Sequence, residues 1–113
     1  MTATVTGSGT LVATAQDMMD IIATAGYQHG CRRLILHKEN IGEAFFDLKT
    51  GLAREVLQKV VNYGAALAIV GDFSAYTSKA LKDFIYESNK GNRIFFVPTV
   101  ADALEKLQTA ETA

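Results

Sequence analysis

Residues 66–70 read Ala-Leu-Ala-Ile-Val, apolar at every position and closed off by Gly64 before and Gly71 after. A strand with one wet face alternates apolar and polar side chains. A run with no alternation has both faces covered, as happens in the interior of a parallel sheet. Parallel neighbours need long crossovers, normally helices, so this run asks for helical periodicity on either side of it. The chain supplies that. Met18, Ile21, Ile22 and Ala25 fall at i, i+3, i+4 and i+7, predicting a helix from about Gln16 that stops near Gly26 or Gly30. Phe45, Leu48, Leu52, Val56 and Val60 predict a longer helix over about 44–63 with Gly64 as its cap, and Leu81, Phe84 and Ile85 mark another, opened by Thr77 or Ser78 and ended by Asn89-Lys90-Gly91.

The remaining strands are shorter. Leu34-Ile35-Leu36 and Ile94-Phe95-Phe96-Val97 are compact apolar runs, the second stopped by Pro98. Residues 2–6 alternate threonine with apolar side chains, Gly7-Ser8-Gly9 reads as a turn, and Thr10-Leu11-Val12 is a candidate second strand of an N-terminal hairpin. Thr99 and Asp102 resemble a capping box for a last helix through Val100, Ala103, Leu104 and Leu107. The expectation is an α/β fold: one small domain over residues 1–107, with a mainly parallel sheet of four to five strands alternating with four helices. Residues 108–113 are small and polar and form a flexible tail.

At 113 residues the chain holds one core. A net charge of −1 gives no footprint for nucleic acid or anionic membrane, and no apolar run reaches the roughly 20 residues of a membrane helix. The first residues lack the basic start and apolar stretch of a signal peptide, and Cys31 is the only cysteine, so a cytoplasmic setting without disulfides is expected.

Ligands on parallel sheets usually sit beyond the carboxyl ends of the strands. In this chain those ends carry His37, Lys38, Glu39 and Asn40, then Gly71, Asp72 and Ser74, then Pro98 and Thr99. No complete catalytic set emerges from them. His37 and Glu39 share a face with no nucleophile beside them. Asp47, Glu39 and Asp72 have no fixed separation. His29, Cys31 and His37 lack the paired spacing of a metal site. Gly71 to Lys79 opens a helix where a phosphate loop would sit, but the second glycine is missing and Asp72 would repel phosphate. Asp72 and Ser74 read as turn formers. Arg32, Arg33, Lys79, Lys82, Lys90 and Arg93 read as a solvated face, and Tyr27, Tyr63, Tyr76 and Tyr86 as packing at the edge of the core.

The most unusual stretch is Phe46-Asp47-Leu48-Lys49-Thr50-Gly51-Leu52. A glycine inside a helix costs about 1 kcal/mol relative to alanine. Either Gly51 makes room for a neighbouring side chain, or a helix begins near Asp47–Thr50 and its free N–H groups favour an anion or a phosphorylated Thr50.

The segments Leu36–Asn40, Phe45–Gly51, Leu67–Phe73 and Asp83–Gly91 resemble a bacterial family known only as a domain of unknown function, over roughly residues 11–107. More distantly, the order of elements is similar to the STAS domain, the anti-sigma-factor-antagonist fold. In that family an Asp-Ser-Ser/Thr-Gly-Leu motif opens a helix, and the residue before its glycine is phosphorylated by a partner kinase. Phe46–Leu52 looks like that motif with one extra residue, Thr50 standing at the acceptor position and Gly51 at the glycine. The resemblance, the α/β order and the lack of a catalytic set together lead to the expectation of a regulatory module without a cofactor that acts through a protein partner, with Lys38, Glu39, Asn40, Asp47, Lys49, Thr50, Asp72 and Ser74 at or near the contact. A short N-terminal strand would leave a sheet edge open for a homodimer. The alternative is a small-molecule binding protein or enzyme with His37, Glu39, Asp72 and Ser74 converging on a pocket.

Overall fold

The computed structural model describes residues 2–5, 7 and 9–112. Its elements run β1 (Thr2–Thr4), α1 (Ala15–His29), β2 (Arg33–His37), α2 (Leu52–Asn62), β3 (Ala66–Val70), α3 (Lys79–Lys90), β4 (Ile94–Val97) and α4 (Val100–Thr112), with short 3₁₀ turns at 38–40, 43–46 and 48–50. All strand pairs are parallel, and the order across the sheet is β1-β2-β3-β4. The body of the sheet is the three strands β2, β3 and β4, fewer than the four to five expected. The three-residue β1 lies along one edge, paired from Thr2 to Thr4 with Arg33 to Ile35. Residues 10–12 form no strand; they contribute an isolated bridge between Val12 and Ile41. The turn expected at 7–9 includes Ser8, and the first strand was expected to reach Thr6; both residues lie outside those described.

β3 is buried at all five positions, and its two neighbours supply the reason. Along each strand, alternate side chains go to opposite faces. Leu34, Leu36, Leu67, Ile69, Ile94 and Phe96 join Met18 and Ile22 of α1, Val56 and Val60 of α2 and Leu81 of α3 in one core. Ile35, Ala68, Val70, Phe95 and Val97 face the other way, against Ala103 and Leu107 of α4. Strand order follows chain order, so the three crossover helices line up on one face and α4 alone covers the other.

Local signals set the helix ends. Thr14 caps α1: its hydroxyl accepts the Asp17 N–H at 3.1 Å, and the Asp17 carboxylate accepts the Thr14 N–H at 3.1 Å. The helix runs to the later of the two expected stops, where Gly30 takes the left-handed conformation, φ 63°. Ser78, of the two candidates, caps α3, accepting the Leu81 N–H. Thr99 accepts the Asp102 N–H as its spacing predicts, and the α4 backbone stays helical to Thr112. No described helix is long and apolar enough to cross a membrane.

The single helix expected over 44–63 is broken. Residues 43–50 form two 3₁₀ turns, and α2 begins only at Leu52. Gly51 causes the break, with φ 78° in the left-handed region, and an added Cβ would meet nothing within 4 Å. It therefore serves a turn and not close packing, the first of the two roles considered for it. The apolar stripe survives: Phe45, Leu52, Val56 and Val60 are buried, and Leu48 is partly so.

The β4 edge of the sheet is capped by a side chain. Asn89, in the last turn of α3, accepts the Phe96 N–H through Oδ1 at 2.7 Å and donates Nδ2–H to the Phe96 carbonyl at 3.2 Å. One amide thus satisfies both outward backbone groups of that residue, as a neighbouring strand would.

Candidate functional site

In a parallel sheet with crossover helices, the carboxyl ends of the strands and the amino ends of the helices share one side of the molecule. The loops on this side hold all eight residues predicted at a site, and they fall into two groups joined by an aromatic stack.

The first group surrounds the end of β3. An added Cβ on Gly71 would come within 2.6 Å of the Lys38 Cβ, so the absence of a side chain there lets the loop after β2 lie directly on the loop after β3. Lys38 then sits with Nζ 4.8 Å from the centroid of the Tyr76 ring, a cation–π placement. Asp72 Oδ1 accepts the Ser74 N–H at 2.9 Å, closing an Asx turn. The Ser74 hydroxyl and N–H, and the Lys38 charge, hold the Asp72 carboxyl below its ordinary pKa. Asp72 and Ser74 are exposed and Lys38 and His37 partly buried.

The second group is the turn preceding α2. The Thr50 hydroxyl donates toward the carbonyls of Ala44 at 2.6 Å and Asp47 at 2.9 Å, and it accepts the Leu52 N–H at 3.2 Å. Asp47 Oδ1 accepts the Lys49 N–H at 3.1 Å. The residue is exposed while its oxygen ties both 3₁₀ turns to the start of the helix. Asp47, Lys49 and Thr50 are all exposed, as is Glu39.

Phe46 and Tyr76 join the groups, with ring centroids 4.9 Å apart and planes 15° from parallel. Phe73 and Phe96 extend the cluster inward at centroid distances of 6.0 Å from Phe46 and 5.4 Å from Phe73. The Tyr76 hydroxyl lies 3.4 Å from Glu43 Oε2. Burial first, then the Glu43 charge and hydrogen bond, raise the Tyr76 pKa. Sequence reasoning assigned neither Glu43 nor Tyr76 to this side: they are 33 residues apart and no local pattern links them.

Asn40 differs from its companions. It is 1% exposed. Its Oδ1 accepts the His37 N–H at 3.1 Å, and its Nδ2 donates to the carbonyls of Gly9 at 3.0 Å and Gly7 at 3.3 Å. Its own carbonyl accepts the N–H groups of Leu11 and Val12. This amide staples the N-terminal loop to the end of β2, and its polar atoms are directed inward.

Among the described residues no group of three metal-ligating side chains converges, and Cys31 is buried. The strand order never reverses, so the sheet lacks the switch point at which open α/β folds form their ligand crevice. The arrangement is a surface of fixed turns bearing charges, with an aromatic stack beneath.

Of the four tyrosines expected at the core edge, Tyr76 packs there. Tyr27, Tyr63 and Tyr86 stand at 95%, 45% and 61% exposure.

A family model described as a domain of unknown function (DUF4180) matches residues 1–107. Comparison with curated proteins gives no match, and neither does comparison with solved structures.

Proposed function

The chain belongs to the DUF4180 family, and from its geometry we propose that it is a non-enzymatic regulatory module that binds a protein partner through the loops beyond the carboxyl ends of its strands. One observation carries this reading: residues 38–50 hold three 3₁₀ turns pinned from within by Asn40 and Thr50, which leaves Glu39, Asp47 and Lys49 exposed on the side that also bears Asp72, Ser74 and the partly buried Lys38. A charged surface of hydrogen-bonded turns suits recognition by another protein better than enclosure of a substrate.

Thr50 is the proposed switch. It is exposed and directly precedes Gly51, Leu52 and the first turn of α2, the placement that the STAS-like motif implies for a phospho-acceptor. Phosphorylation would replace the hydroxyl proton that now goes to the Ala44 and Asp47 carbonyls and would add about −1.5 to −2 charges at a helix N-terminus. The 43–50 turns would lose their tie, and the contact surface would change shape along with charge. The alternative, a small-molecule pocket formed by His37, Glu39, Asp72 and Ser74, has less behind it, because Asp72 and Ser74 spend their polar groups on each other. The reading includes a bacterial, cytoplasmic setting, supported by the resemblance given above and by the presence of a single cysteine, Cys31. It also includes self-pairing along the short edge strand β1.

The test is native mass spectrometry of the protein purified from its own host, set against the denatured intact mass. One covalent phosphate, mapped to Thr50 and lost in Thr50→Ala, is the expected result. Co-purifying proteins should differ between wild type, Thr50→Ala and Thr50→Glu. Identical partners in all three would sink the switch, and a small molecule shed on denaturation would favour the pocket.

A further inference from the structure

Acidic side chains stand in first turns on one side of this molecule, beside Lys38, Lys49 and Lys79, and arginines stand at strand entries on the other. Asp17, Glu43 and Asp102 stand in first turns at the carboxyl side of the sheet, together with Glu39, Asp47 and Asp72. The opposite side carries Arg32 just before β2, Arg93 just before β4, and Lys90 in the last turn of α3. Helix dipoles account for acids in first turns and for Lys90 in a last turn. They do not account for the arginines, which lie at strand entries.

The same end carries exposed aromatic side chains that packing does not require. Tyr27, near the end of α1, is 95% exposed, and Tyr63, at the end of α2, is 45% exposed beside Val61, also 45%. Between Tyr27 and Tyr63 runs a groove of about 490 Å³ lined with Ile22, Gly26 and Cys31 and bordered by Arg32. Arg32 lies along the turn at residue 64, with Nη1 3.5 Å from where a Gly64 Cβ would stand. Arg93 donates from Nη1 to the Ala65 carbonyl at 3.2 Å, one residue further on. The two arginines therefore flank a single turn, on strands two spacings or roughly 10 Å apart. Beyond Arg93 lies a second groove of about 330 Å³ that includes Leu57, Phe84 and Ile94.

Tyrosine and arginine at the margin of an apolar cleft form the side-chain chemistry that dominates protein–protein binding energy. We propose that this amino-terminal end of the sheet is a second docking surface, for an acidic segment of another protein. Carboxylates of that segment meet Arg32 and Arg93, and an apolar side chain enters the groove between Tyr27 and Tyr63. A protein is favoured over a nucleic acid on charge. Polyanion binding draws its affinity from many neutralised phosphates, whereas this strip offers a few cations, Glu87 lines the second groove, and the chain as a whole carries −1. The surface is separate from the Thr50 side, so its failure and the failure of that reading are independent.

The experiment is selection of a random dodecamer display library on the intact protein, followed by affinity measurement with the best synthetic peptide. Expected are enriched sequences with a net negative charge around an apolar residue. Binding should fall about tenfold or more in both Arg32→Glu and Tyr27→Ser, weaken with added salt, and be unaffected by Thr50→Ala. Both substituted side chains are exposed, and an unchanged circular dichroism melt confirms that the variants fold. Enrichment without acidic bias would overturn the proposal, as would acidic peptides whose affinity neither substitution changes. Competition by oligothymidylate at equal strength would overturn it in favour of a nucleic acid. Concentration-dependent assembly of the chain alone, abolished by Arg32→Glu, would overturn it in favour of a second copy of the chain.

Discussion

Replacing Asn40 by alanine tests whether the site loops owe their fixed shape to one buried amide. The substitution removes an acceptor from the His37 N–H and a donor from two carbonyls, Gly7 and Gly9, while leaving the backbone bonds from Leu11 and Val12 to the residue 40 carbonyl in place. A typical intramolecular hydrogen bond contributes about 1 kcal/mol net, and a buried group left without a partner costs more. The 3.3 Å contact is the weakest of the three. A loss of about 3 kcal/mol follows. At about 4 °C per kcal/mol for a domain of this size, the midpoint of thermal unfolding should fall by about 12 °C. Circular dichroism melts give the shift, and amide exchange locates it, with faster exchange at His37 and at residues 9–12. Asn40→Asp sharpens the test. Its carboxylate still accepts from His37 but faces the two glycine carbonyls, so at neutral pH it should be at least as damaging as Asn40→Ala. Acidification should then restore part of the loss, because the protonated form can donate. An alanine variant melting within about 3 °C of wild type would refute the reasoning, and so would an aspartate variant more stable than alanine at pH 7.

Two further outcomes follow from the same side of the molecule. Gly71→Ala places a methyl group against the Lys38 Cβ at a distance that one of them must give up. It should cost about 1–3 kcal/mol and abolish the ring-current shift of the Lys38 methylenes over Tyr76, read by NMR; retention of that shift would remove Gly71 from the account. Tyr76 should ionise above the ordinary tyrosine value of about 10, so its contribution to stability is present below pH 10 and lost as pH rises through the raised value. Glu43→Gln should bring the absorbance titration part of the way down, leaving the share due to burial, and an unmoved midpoint would exclude Glu43 as a cause.

The strands of the sheet body were legible because their signal is local. Three apolar runs of the right length, each bounded by glycine, proline or charge, suffice to mark β2, β3 and β4. The segment at 43–51 was not, because an apolar spacing of three between Phe45 and Leu48 fits a 3₁₀ turn as well as a continuous α-helix. The glycine that decides between them carries no mark of its φ angle. Part of the predicted rim was legible for the same local reason: Asp72 and Ser74 form the turn their types suggest. Asn40 reads as one more polar loop residue, and only the three-dimensional return of Gly7 and Gly9 shows it to be an internal staple. The exposed tyrosines were misjudged because residue type speaks for burial, whereas Tyr27 and Tyr63 sit where their helices run out of neighbours.

The amide cap on β4 also bears on how far copies of this chain could be joined through their sheets. With the Phe96 backbone already satisfied by Asn89, strand addition costs the Asn89 bonds at β4 and spares them on the β1 side. Two copies meeting there would place a β4 strand, with its amide-capped Phe96, at each outer edge of the joined sheet. A further copy added at either outer edge would first have to displace the Asn89 amide from Phe96.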